Sequence, residues 1–333
     1  MKSGEKTATP QKTPSLLGER AGGGVGGAKM NKPSIAVNNI SRSYGTVKAL
    51  DNVSFEVPKG ELFGFIGPDG AGKTTLFRIL ATLVLPDEGT ASVEGLDVVK
   101  DFKKIRKILG YMPGRFSLYM DLSVEENLSF YATIFGTTIK ENYDLIKDIY
   151  KQIEPFKNRR AGQLSGGMKQ KLALCCALIH KPAVIFLDEP TTGVDAVSRM
   201  EFWDMLRRLK ESNITIMVST PYMDEASLCD RVALIQSGKI MKISRPDEIV
   251  ADYSRKLLAV KSGKFFELLK DLKEYPGVYS VYAFGQATHV AYDKGSLQAE
   301  ALRQHLINTG HPEVVIEKIN PSIEDRFMEL MGQ

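Results

Sequence analysis

Residues 67–75 read GPDGAGKTT and sit between the apolar stretch LFGFI and the periodic stretch KTTLFRILATLV. From Gly67 to Thr74 the spacing is G-x-x-x-x-G-K-[ST], the product of a strand, a tight glycine-rich turn and a helix. No other stretch narrows the fold as much. The turn needs a buried strand end beside a free helix N-terminus, and that pairing belongs to parallel α/β sheets. Gly70 and Gly72 let backbone amides turn inward around phosphate oxygens, and the helix start adds a positive partial charge. Lys73 brings a cation to the β- and γ-phosphates of a nucleotide, and the Thr74 hydroxyl is a candidate Mg2+ ligand. The candidate binding set here is Gly67, Pro68, Asp69, Gly70, Ala71, Gly72, Lys73, Thr74 and Thr75.

Two further stretches carry chemistry. In AVIFLDEP (183–190) an uninterrupted apolar strand delivers two carboxylates at its C-terminal end, where ligands bind in parallel sheets. Asp188 is the candidate Mg2+ ligand, and Glu189 the candidate catalytic group that polarises an attacking water. Successive residues point in different directions, so two adjacent acids can do two jobs. In LSGGMKQK (164–171), Ser165 reads as an N-cap and, with Gly166 and Gly167, leaves free amides at the start of the helix MKQKLALCCALI. The chain therefore holds two anion-binding helix starts.

In their order and spacing these motifs resemble the ATP-binding cassette (ABC) family over residues 35–250, with LSGGMKQK similar to its signature. The resemblance implies an α/β fold: a P-loop NTPase cassette with a mixed sheet core and a helical subdomain. It implies ATP and Mg2+, and a second ABC subunit docked head to tail, whose ATP meets Ser165, Gly166 and Gly167. It places Tyr44, in SYGTVKAL, where an aromatic ring stacks on adenine, and Asp195, in TTGVDAVSR, at the dimer contact. FSLYMDLSVEENL resembles the stretch that joins the two lobes and meets a membrane partner.

Two positions depart from the family pattern. Gly114, in YMPGRFSLY, stands where the family usually has Gln, and Pro221, in VSTPYMDEA, where it usually has His. Neither can hydrogen-bond a phosphate or a water through a side chain. The expectation is reduced rather than abolished hydrolysis, because Glu189 is retained. Structurally, Pro221 reads as the first residue of a helix that carries Asp224 and Glu225 in its first turn.

Beyond residue 255 the pattern changes to KLLAVKS, KFFELLKDLKEY, VYSVYAF, THVAYD, SLQAEALRQHLINTG and PEVVIEKI. The order β-α-β-β-α-β predicts a small C-terminal α+β, ferredoxin-like domain, closed by the helix IEDRFMELM. The expected organisation is a tail over 1–33, a cassette over 34–252 with its helical subdomain over 113–180, and an accessory domain over 253–333. The tail is rich in Gly and Lys and reads as disordered, with Met30 as a candidate true start.

Six basic and two acidic residues in the tail give an excess equal to the whole chain's net charge of +4. A basic balance of that origin argues against nucleic acid as a partner. No stretch approaches the ~18–20 apolar residues of a membrane helix. The single cassette followed by a C-terminal domain ending NPSIEDRFMELM resembles the ATP-binding subunits of ABC-2-type exporters. That resemblance implies a separate integral membrane permease of the ABC-2 type as partner, with this chain on the cytoplasmic face of the membrane. Cys175, Cys176 and Cys229 show no metal spacing and read as packed thiols, and Trp203 as core.

The leading expectation is the ATPase subunit of an exporter in which ATP closes a dimer. The alternatives are a weakened, nucleotide-sensing half of a heterodimer and a soluble non-transport ABC ATPase.

Overall fold

The computed structural model describes residues 32–332; residues 1–31, with most of the expected tail and Met30, lie outside the described residues. Strands β1 (Ile35–Tyr44) and β2 (Val47–Val57) form an antiparallel hairpin that turns at Gly45, φ 59°. Strand β3 (Leu62–Ile66) enters the glycine-rich loop and α1 (Lys73–Leu80) leaves it. Strands β4 (Glu88–Val93) and β5 (Leu96–Asp97) complete a four-stranded sheet in the order β2-β1-β4-β5. Helix α2 (Phe102–Ile108) leads into β6 (Leu109–Met112).

From there to residue 180 the described elements are helical: α3 (Val124–Ile134), α4 (Tyr143–Tyr150) and α5 (Gly166–Leu178), with two 3₁₀ turns and one isolated bridge between Ser123 and Arg160. Ser123 caps α3 in a capping box with Glu126, which satisfies amides that a helix start leaves open. The chain re-enters the sheet through β7 (Val184–Asp188), α6 (Ala196–Glu211), β8 (Thr215–Thr220), β9 (Arg231–Gln236) and β10 (Lys239–Ser244), and then forms α7 (Pro246–Ala251). The central sheet runs β10-β9-β3-β8-β7-β6, parallel except for the edge strand β10.

Every residue of β3, β7 and β8 is buried, as expected of strands covered on both faces. Alternate residues feed two cores. Phe63, Phe65, Phe186 and Met217 pack with the hairpin and α1. Leu62, Ile185, Leu187 and Val218 pack with Trp203 and the helical segment. Among the described residues no helix is long and apolar enough to cross a membrane.

The last segment comprises β11 (Lys256–Lys261), α8 (Phe265–Glu274), β12 (Val278–Phe284), β13 (Ala287–Tyr292), α9 (Ala299–Asn308) and β14 (Val315–Ile319). Its antiparallel sheet has the order β12-β13-β11-β14, a ferredoxin-like arrangement with α8 and α9 packed on it. Helix α10 (Ile323–Met331) starts at a capping box of Ser322 and Asp325. It turns back onto the cassette, where Ile323 and Phe327 join the core that holds Ala226, Cys229 and Ile249.

One expectation fails. The helix after β8 is only a 3₁₀ turn over Asp224–Leu228, and Pro221 is not its first residue. Side-chain bonds of Thr220 and Glu225 explain this. The Thr220 hydroxyl accepts the Tyr222 N–H at 3.0 Å, which bends the chain directly after Pro221. Glu225 points inward to buried partners instead of lying on an exposed first turn.

Candidate nucleotide site

The glycine-rich loop is held from both sides. Gly67 N–H donates to the Thr220 carbonyl at 3.3 Å, and Gly238 N–H donates to the Ala71 carbonyl at 3.0 Å. Gly72 has φ 106°, and a Cβ there would stand 2.3 Å from the Ala49 carbonyl of β2. Only glycine allows that approach. Lys73, 3% exposed, donates from Nζ to the carbonyls of Gly67 at 2.8 Å and Pro68 at 3.0 Å. The lysine thus closes back on its own loop, at the N-terminus of an eight-residue helix.

The carboxylates of the β7 end face this loop. The Thr74 hydroxyl donates to Asp188 Oδ1 at 3.1 Å, and Ser219 Oγ donates to the same oxygen at 2.6 Å. Burial pushes the Asp188 carboxyl above its ordinary range, against the pull of these two hydroxyls. Glu189 lies 3.1 Å from Lys73 Nζ. Its backbone has φ 51°, a left-handed conformation uncommon outside glycine, and is held there by its N–H, which points at both the carbonyl and the Oγ of Ser219, each at 3.0 Å.

The structure therefore brings together Gly67–Thr75, Asp188 and Glu189. Ser165, Gly166 and Gly167 stand elsewhere. Ser165 caps α5 by accepting the Met168 N–H. A Cβ on Gly167 would meet Ser198 Oγ at 2.8 Å, so the start of α5 lies against the start of α6. Asp195 caps α6 by accepting the Ser198 N–H at 3.0 Å, and that bond lowers its carboxyl below the usual range. Tyr44 stands at the hairpin tip, 45% exposed, with the Arg42 guanidinium 5.0 Å from its ring centroid.

Both departures border the site. A Cβ on Gly114 would stand 3.0 Å from the Asp188 carbonyl, so a side chain there crowds the carboxylate strand end. Pro221 directly follows Thr220, whose carbonyl holds Gly67. Sequence reasoning missed Ser219, which donates to Asp188. The signal for Ser219 is its pairing with Asp188 in the parallel register of β7 and β8, which requires knowing that these strands are neighbours.

Among the described residues no three His, Cys, Asp or Glu side chains converge on a metal position. Thr74 and Asp188 present hard oxygen donors side by side. That is a sparse set of the kind Mg2+ uses when substrate phosphates supply other ligands.

Residues 50–192 match the family described as ABC transporter. The chain is 39% identical over 219 residues to the probable multidrug ABC transporter ATP-binding protein YbhF of Escherichia coli (strain K12), a match covering 65% of this chain and 38% of that protein. It is 32% identical over 308 residues to the Nod factor export ATP-binding protein I of Rhizobium sp. (strain N33), covering 91% of this chain and 99% of that protein. The chain belongs to the ABC transporter family.

Solved ABC cassettes share its fold. One is a dimeric ATP-binding cassette in a post-hydrolysis state bound to ADP and Pi: 25% identity, TM-score 0.58, 63% of this chain and 98% of that one. Another is cbiO1 of Clostridium perfringens, part of the ABC transporter complex cbiONQ: 26% identity, TM-score 0.60, 66% of this chain and 92% of that one. The ABC likeness to solved structures thus covers about two thirds of the chain. Against the E. coli relative, the chain spans well under half of that protein's length.

Proposed function

We propose that this chain is the ATP-binding and ATP-hydrolysing subunit of an ABC exporter, and that it works as a dimer on a separate membrane permease. The observation that carries the reading is the convergence of Lys73 and Thr74 with Glu189 and Asp188, each pair 3.1 Å apart. Gly67–Thr75 wrap the phosphates, and Lys73 turns from its loop carbonyls to the β- and γ-phosphates. Tyr44 stacks on the base. Thr74 and Asp188 would hold Mg2+, which supplies charge neutralisation at the phosphate oxygens when bound. Glu189 orients and polarises the attacking water. Ser165, Gly166 and Gly167 meet the ATP of the second subunit, and Asp195 meets the dimer partner.

Export is supported by the names of the relatives, one a Nod factor export ATP-binding protein and one a probable multidrug ABC transporter ATP-binding protein. A cleft of 320 Å³ between the sheet and the helical segment, lined by Tyr111, Phe116, Leu118, Tyr131, Phe135 and His180 among others, suits a few apolar side chains of a helix of an ABC-2-type permease. In this reading the cassette is 34–252, with 113–180 as the lobe that meets the permease, and 253–333 is an accessory domain. The chain sits on the cytoplasmic face of the membrane through that permease. A second reading, a weakened half of a heterodimer, rests on Gly114 and Pro221, which bring no polar side chain to the site border.

The deciding measurement is phosphate release from Mg-ATP by the full chain, wild type beside Glu189→Gln, with the dimer followed by sedimentation. Turnover in wild type that is lost in the variant, with a dimer trapped by ATP, is the expected result. ATP-dependent dimers without turnover in either protein favour the weakened half. No ATP binding in wild type overturns both readings.

A further inference from the structure

The Glu225 carboxylate is 2% exposed and is met by donors from three separate segments. The Thr191 hydroxyl lies 2.8 and 3.1 Å from its two oxygens, the Thr220 hydroxyl 2.5 Å from Oε2, and Arg199 Nε 3.2 Å from Oε1. Each segment leads to the site. Thr191 lies two residues after Glu189, in a loop where Thr192 N–H donates to the Glu189 carbonyl at 3.2 Å. Thr220 ends β8 and holds Gly67 through its carbonyl. Arg199 sits in the first turn of α6, where its N–H donates to the Asp195 carbonyl at 2.9 Å.

Arg199 also closes on the segment after β8 from outside. Its guanidinium lies 4.3 Å from the Tyr222 ring centroid, and Nη2 is 2.9 Å from Asp224. Between these anchors stands Pro221, which has neither a polar side chain nor an N–H. Position 221 can offer no side-chain bond and no N–H to the Glu189 loop. A buried carboxylate with every partner in place is stiff, and losing one partner leaves a costly unpaired group.

We infer that Glu225 is a positioning residue for hydrolysis. Through Thr191 and Thr220 it fixes the loop that aims Glu189. Through Arg199 it ties that aim to the helix start at Asp195. The inference rests on the ATP-hydrolysing reading above, and it concerns aim rather than binding, since Glu225 has no bond to the loop 67–75 in this network.

The test uses the full chain with Glu225→Gln, Thr191→Val and Thr191→Ser, read by steady-state phosphate release, ATP binding and thermal unfolding. Thr191→Val removes one hydroxyl at constant shape, and Thr191→Ser restores it. The expected result is a fall in kcat on the order of 10- to 100-fold for Glu225→Gln and Thr191→Val, with KM for ATP within about threefold and with Thr191→Ser near wild type. Folded variants with unchanged kcat overturn the inference. So does a loss that Thr191→Ser fails to recover, or one in which KM and kcat worsen together in step with the unfolding midpoint. Those outcomes describe a structural brace. Wild type that binds ATP without releasing phosphate removes the reaction to be aimed and overturns this inference together with the hydrolysing reading, leaving the weakened half, whereas variants with unchanged kcat beside an active wild type overturn this inference alone. Wild type that binds no ATP overturns the functional reading itself.

Discussion

Lys73 Nζ and Glu189 Oε1 face each other at 3.1 Å, so the cation of the phosphate loop is paired with the carboxylate that would act on water. In the proposed function a nucleotide draws the lysine to its phosphates, which would break the pair and free the carboxylate only when substrate is present. Lys73→Ala is therefore expected to lose tight ATP binding, while Glu189→Gln keeps or improves it and loses turnover by at least ~100-fold. Fluorescent nucleotide titration beside phosphate release separates the two effects. Equal affinity in Lys73→Ala and wild type would place the phosphates elsewhere.

Tyr44 offers an exposed ring at the tip of the β1–β2 hairpin, already partnered on one side by Arg42. A base stacked on an aromatic ring gains about 1–3 kcal/mol. Tyr44→Ala should raise KM for ATP by roughly 5- to 150-fold at similar kcat. Tyr44→Phe and Tyr44→Trp should retain affinity, since the flat face and not the hydroxyl is used. A KM in Tyr44→Ala equal to that of wild type removes the ring from the site.

Cys175, Cys176 and Cys229 are buried, and burial pushes each thiol well above its ordinary range. They should resist alkylation in the native protein at pH 8 and react fully after unfolding, as counted by mass spectrometry. The sign for stability follows. The folded chain keeps these protons where an unfolded thiol loses them, near pH 8.5. The stability they contribute is present below that pH and is lost as pH rises above it, by about 1.4 kcal/mol per pH unit for each thiol. Denaturant midpoints that stay flat from pH 8 to 10 would contradict this.

Phe327 of α10 is buried in the cassette core, near Ala226 and Ile249. Phe327→Ala should cost about 3–5 kcal/mol by the area and cavity it leaves, with Phe327→Leu costing less. Chemical denaturation measures it. A cost under ~0.5 kcal/mol would mean that α10 is not part of the cooperative unit.

The sequence shows most where a local pattern is also the chemistry. The glycine-rich loop, the acids Asp188 and Glu189, and the cap Ser165 are each defined by their immediate neighbours. The β-α-β-β-α-β order after residue 255 is legible for the same reason, and its strand order agrees. Glu225 shows the limit. Its charge and position in YMDEAS suit an exposed helix turn, and only tertiary partners on β7's loop, β8 and α6 turn it inward. Strands β9 and β10 lie outside the sequence reading, although Ser237 and Gly238 mark the turn between them. The hairpin is longer than its apolar stretches because polar residues continue the pairing as far as Tyr44 and Val47.

The position of β3 bears on how the protein is made. Its two hydrogen-bonded neighbours, β8 and β9, lie roughly 150 residues downstream. At a synthesis rate of about 5–20 residues per second, the strand that enters the phosphate loop waits many seconds with both edges open. An unpaired apolar edge is a template for pairing with other chains. Nascent chains that have passed β3 but not β9 are thus the ones that need shelter by chaperones, and truncation between residues 67 and 214 should give aggregates rather than a smaller folded piece.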